Sequence, residues 1–179
     1  MNTIRNCIVL TALSLFSVAT TKAHTQALST KSDSASKIDY ALSQLDEYIR
    51  WNPRDAQARF KRANLLMQLD RDDDAMTAYK ALTQTYPELP EPYNNLASIY
   101  AKRGKLDEAR VMLETAVHAS PGYALAQANL GDLYLRLAAE SFEQARALEP
   151  HDAYSAKRSR QIMQLFRSAS AGVDTVGTQ

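Results

Sequence analysis

The stretch that decides the fold is Pro90–Tyr123, PEPYNNLASIYAKRGKLDEARVMLETAVHASPGY. It reads as two helices joined by one turn and closed by another. Gly104 suits a left-handed helix C-cap, because it has no Cβ to clash there. Ala109 is small enough to let two antiparallel helices approach closely. Leu113 and Ala116, four and seven positions later, share its helical face and fill the space between the helices. Pro121 ends the second helix, since it has no amide hydrogen to donate and restricts its predecessor.

The same pattern recurs at a step of 34 residues on both sides of this stretch. Ala41, Ala75 and Ala109 form one column, and Leu45, Tyr79 and Leu113 a second. Tyr48, Leu82 and Ala116 form a third, and Pro53, Pro87 and Pro121 a fourth. Leu96 to Leu130, Ala97 to Gly131 and Tyr100 to Tyr134 continue it. A fixed period of this size marks a stacked helical array, in which each unit buries its apolar face against its neighbours. Asp55 and Asp152 stand where helices begin and can accept from unpaired amides. Asp72 or Asp73 is expected to do the same.

These residues resemble the tetratricopeptide-repeat (TPR) family. Within Pro90–Tyr123, residues Tyr93, Leu96, Ala97, Tyr100, Ala109, Leu113, Ala116 and Pro121 occupy the family's eight signature positions. The match is weaker over 56–89, where Arg59 and Arg62 replace apolar residues, although Ala63, Leu66, Ala75, Tyr79 and Pro87 keep it. A degenerate half-repeat precedes it, with a second helix at about 36–49 and no convincing first. The resemblance implies an all-α, short helical solenoid of antiparallel helix pairs. It also implies a scaffold that binds proteins or peptides without catalysis. The run Tyr86–Ala97, followed by Asn129–Tyr134, is similar to exported TPR proteins of Gram-negative bacteria, some of them tied to cell-wall L,D-transpeptidase systems. An adaptor in a periplasmic envelope complex is the leading expectation. An accessory module of a cell-wall transpeptidase or hydrolase is the alternative, and a membrane-tethered subunit is a third reading.

Composition agrees with a helical array. Hydrophobic residues make up 45% of the 179, with only 5 glycines and 6 prolines. The formal net charge of +1 gives no bulk attraction to nucleic acid. The short basic cluster Lys157, Arg158 and Arg160 reads as a solvated helix face. Residues 1–23 read as a signal peptide: Arg5 is the positive start, Cys7–Ala19 an apolar run short for a bilayer, and Thr21-Lys22-Ala23 a small-residue site before His24. A periplasmic or secreted protein without stable membrane insertion is expected, with an uncleaved anchor as the alternative. Cleavage would remove Cys7, the only cysteine, and leave no disulfide.

Few residues point to chemistry. His24, His118 and His151 are far apart, without the spacing of two ligands on one helix face. Asp70–Asp74 begins like a calcium loop, but Ala75 and Ala81 stand where glycine and glutamate are needed. No phosphate-cradling glycine pattern or nucleophile elbow occurs. No catalytic residue, metal or cofactor is expected. Trp51 and the nine tyrosines are expected mostly in core columns rather than as a sugar-binding platform.

The resemblance places a partner on the concave surface, lined by the first helix of each repeat. The corresponding positions are Phe60, Asn64 and Met67, then Asn94, Asn95 and Ser98, then Ala128, Asn129 and Asp132. Asn64, Asn95 and Asn129 are the informative members, since a carboxamide can pair with an extended peptide backbone. Ordinary solvated asparagines are the competing reading. The charged clamp of the chaperone-binding subgroup is absent, because Phe60, Leu125 and Asn129 occupy its basic places.

The third repeat is short. Pro121 to Pro150 is 29 residues, and the residues missing are those of the turn near Tyr134–Ala138. One long helix over about 124–148 is therefore expected within the shortened repeat 124–152. A capping helix over 153–167 should follow, packing Tyr154, Ile162, Leu165 and Phe166 against the array. Residues 24–35 and 168–179 read as mobile, being poor in apolar side chains.

Overall fold

A computed structural model describes residues 33–173, which form seven α-helices with no strand among them. They are α1 (33–51), α2 (Ala56–Gln68), α3 (Asp72–Thr85), α4 (Pro90–Lys102), α5 (Leu106–Ala119), α6 (Ala124–Leu148) and α7 (Ala153–Val173). The chain forms two compact units, the first ending at Ala75 and the second beginning at Met76. The expected signal peptide lies outside the described residues.

The turns explain the period. Four backbone hydrogen bonds close equivalent turns: Asp55 N to Asn52 O, Leu89 N to Tyr86 O, Tyr123 N to Ser120 O, and Asp152 N to Glu149 O. Each places a proline, Pro53, Pro87, Pro121 or Pro150, at the second position, where a preset φ favours the turn and no amide is needed. The other turn type ends α2 and α4. Arg71 N bonds Leu66 O, and Lys105 N bonds Tyr100 O, each spanning the helix end around a left-handed residue. Those residues are Asp70 (φ 56°) and Gly104 (φ 72°), one 34-residue step apart.

The first unit buries Leu42, Ala58, Ala63, Leu66 and Ala75. Arg62 does not disturb this core, because its guanidinium turns to the Asp46 carboxylate on α1. Asp55 caps α2, accepting from Ala58 N at 2.9 Å. Asp72 and Asp73 do not act as the expected N-cap: α3 begins at Asp72, so both lie inside its first turn, where the positive end of the helix dipole favours acids.

The second unit is built on Ala97, Leu106, Ala109, Leu113, Ala116, Ala126, Leu130 and Leu133. Ala109 and Ala116 are fully buried, so α5 lies close to α4 and α6. Each buried leucine contributes about 1.5–3 kcal/mol relative to an exposed one. Residues 124–148 form one uninterrupted helix of 25 residues, as the missing turn predicts. Its first half enters the core and its second half carries α7.

Three expectations are corrected. The helix at 36–49 is longer, so residues 33–35 are helical, and α7 runs on through 168–173. The stripe that α7 buries centres on Ser155 and Ser159, with Ile162 and Phe166 half-buried, while Tyr154 and Leu165 are mostly exposed. Serines fit there because α7 approaches closely and Ser159 finds the Glu143 carboxylate. The aromatic residues are also less buried than expected. Tyr79 is inside, but Tyr40, Tyr48, Trp51, Tyr134 and Tyr154 are exposed.

Candidate peptide-binding clefts

The first helix of each repeat sets the candidate site, because its face opposite the core columns is free of the second helix. In the first unit, Phe60 and Asn64 lie one turn apart on α2 and line a cleft of about 530 Å3. Leu45 and Tyr48 of α1 form its other wall, with Gln57 and Lys61 also lining it. Asp55 closes one end. Its Oδ1 accepts from Ala58 N and its Oδ2 from Tyr48 Oη, at 2.9 and 3.0 Å. Those bonds hold the Asp55 carboxyl below the ordinary carboxylate range and push the Tyr48 phenol up. The cleft is thus apolar on its walls, with two amides and a lysine in its lining.

In the second unit, Ser98, Asn129 and Asp132 line a cleft of about 340 Å3 between α4, α5 and α6. Ala97, Ala101, Leu113 and Leu133 form its apolar part. Lys102 and Arg136 line it as well. Neither is among the positions expected from the resemblance, although they stand 34 residues apart, as Ser98 and Asp132 do. Arg136 lies 5.7 Å from the centre of the Phe166 ring. A shallow, mixed lining of this kind can pair with backbone amides and seat a small apolar side chain.

Asn94, Asn95 and Asn129 form a ladder rather than a row of open amides. Asn129 Nδ2 donates to Asn94 Oδ1 at 2.7 Å, and Asn95 Nδ2 donates to Tyr79 Oη at 3.0 Å. A longer contact of 3.4 Å joins Asn94 Nδ2 to Asn95 Oδ1. Asn94 is only 3% exposed, and Asn95 and Asn129 are half-buried. The expectation that Asn95 and Asn129 face solvent is therefore corrected: their amides already bond inside the unit. Burial pushes the Tyr79 phenol up to about 12, against the Asn95 bond that lowers it. Met67 is half-buried and Ala128 exposed, and neither lines a cleft described above.

Among the described residues, no cluster of His, Cys, Asp and Glu could hold a metal ion, and no helix is long and apolar enough to cross a membrane.

Models of the tetratricopeptide repeat match residues 34–90 and 90–123. The chloroplastic tetratricopeptide repeat domain-containing protein PYG7 of Arabidopsis thaliana is 27% identical over 125 residues, covering 65% of this chain and 42% of its own. The chain thus spans less than half the length of that relative. Among solved structures, MamA superposes with a TM-score of 0.54 at 16% identity, covering 83% of this chain and 92% of that one. TTC0263, a thermophilic TPR protein of Thermus thermophilus, reaches 0.50 at 28% identity, covering 55% of this chain and half of that one. The likeness to MamA shows the fold alone.

Proposed function

The chain belongs to the tetratricopeptide-repeat family, and from that premise we propose that it is an exported, non-catalytic adaptor of an envelope complex that holds an extended protein segment in its first-helix clefts. The fold itself implies a protein–protein interaction module. The observation that carries the finer reading is the pair of clefts. Phe60 and Asn64 line one, Ser98, Asn129 and Asp132 the other, and both present polar groups beside apolar surface. Such surfaces recognise peptides by backbone pairing with a few seated side chains. The signal-like residues 1–23 support export to the periplasm.

Affinity capture from envelope extract, followed by mass spectrometry, identifies the partner, and calorimetry then measures it. Each cleft contact removed should cost about 0.5–1.5 kcal/mol. A Phe60→Ala, Ser98→Ala, Asp132→Ala protein should therefore bind roughly tenfold to a thousandfold more weakly while remaining folded. Unchanged affinity would place the partner elsewhere. Fractionation with N-terminal sequencing tests export. A chain starting at His24 in the soluble envelope fraction supports it, and an intact Met1 in the membrane fraction opposes it.

A further inference from the structure

The two terminal helices carry exposed faces of different kinds. On α1, Tyr40 and Trp51 are 67% and 76% exposed. They lie eleven residues apart, three helical turns, and so share one face. Glu47, one turn before Trp51, accepts from the indole Nε1 at 3.0 Å and holds the ring outward. Helix α1 carries Asp33, Asp39, Asp46 and Glu47 against Lys37 and Arg50, a net surplus of acid, with Glu47 paired to Arg50 within the helix and Asp46 to Arg62 of α2.

At the other terminus, α6 and α7 form an apolar groove of about 330 Å3 from Phe142, Tyr154, Arg158, Gln161, Ile162 and Leu165. The Phe142 and Tyr154 rings meet edge to face at 6.0 Å, and the Arg158 guanidinium lies 5.4 Å over Tyr154. Between Ala153 and Phe166, α7 carries three cations and no acid.

We propose that the chain assembles head to tail with itself, the Trp51 face of α1 in one copy seating in the Phe142–Leu165 groove of the next. Charge selects this pairing. By net charge, groove against groove would oppose cations to cations and α1 against α1 acid to acid, whereas α1 against α7 joins opposite net charges and lets Glu47, paired with Arg50 in its own helix, also face Arg158. An exposed tryptophan flanked by a carboxylate, and a groove flanked by an arginine, are the residue types that dominate contact energies. The two faces differ, so the contact is heterologous and every added copy leaves one of each open until a ring closes. This inference does not depend on the cleft reading.

Sedimentation velocity of the full chain tests it, over roughly two decades of concentration around 10 µM. The average mass should rise with concentration and fall as salt is added. Trp51→Ala and Leu165→Glu should each be monomeric with unchanged helical circular dichroism. Mixed in equal amounts they should form a dimer and nothing larger, because each retains the face the other lacks. Arg158→Glu replaces Leu165→Glu if the latter loses helicity. A wild-type chain that stays monomeric would overturn the proposal. So would association untouched by either substitution, or a mixture that remains monomeric.

Discussion

The amide of Asn129 donates to Oδ1 of Asn94 across 2.7 Å, joining the first helices of two consecutive repeats. The two residues are 35 apart, one more than the repeat, so they are not equivalents but a diagonal pair. Asn94 is almost fully buried, which makes the bond part of the fold. Truncating Asn129 to alanine leaves a buried acceptor short of its donor and should cost about 1–3 kcal/mol. Urea unfolding measures it through a lower midpoint at unchanged slope. In the Asn94→Ala, Asn129→Ala double variant the loss should be smaller than the sum of the single losses. Additive losses would show that the two amides do not act together.

What the sequence made legible here followed from repetition. The prolines and alanines at a step of 34 place the turns and the close helix contacts, because each has one physical reason to be there. Helix α6 was legible through a missing turn. The ladder was not, because a diagonal contact depends on how two helices cross, which residue spacing within one helix does not contain. The face of α7 departs from its expected one for a related reason. Hydrophobicity favoured Tyr154 and Leu165, whereas close approach and the Glu143 carboxylate favour Ser155 and Ser159. Tyr40 and Trp51 are exposed because they stand one repeat before Asp74 and Thr85, positions that face outward in the complete repeat as well.

Gly104 supplies a backbone conformation rather than space. A Cβ built on it meets nothing within 4 Å, yet its φ is +72°. Gly104→Val should lower stability by about 1–2 kcal/mol, since β-branched residues are strained there. Gly104→Asn should cost less, because asparagine tolerates the left-handed region. Equal losses in thermal unfolding would mean that something other than φ decides.

Three carboxylates tie stability to acid pH. Asp55 is held low by the Ala58 amide and the Tyr48 hydroxyl, Asp152 by the Ser155 hydroxyl and amide, and Glu143 by Ser159 and Arg146. Their folded-state values lie below the unfolded ones, so the unfolded chain binds more protons as pH falls below about 4. Their contribution is present above that range and is lost as pH falls through the folded values. The melting temperature should therefore drop between pH 5 and pH 2, and Asp152→Asn, which retains a capping side chain, should flatten the drop. The same slope in wild type and variant would remove Asp152 from the explanation.

Site-directed photocrosslinking in envelope extract shows whether the first-helix clefts hold a protein segment. Benzoylphenylalanine replaces Phe60 or Ser98 in the clefts, or Val111, which is exposed on a second helix. Adducts with copies of the chain itself are set aside by their mass. Phe60 and Ser98 should give a discrete adduct with the same partner, lost when excess unlabelled chain competes, and Val111 should give none. An adduct at Val111 with none at Phe60 or Ser98 would contradict it.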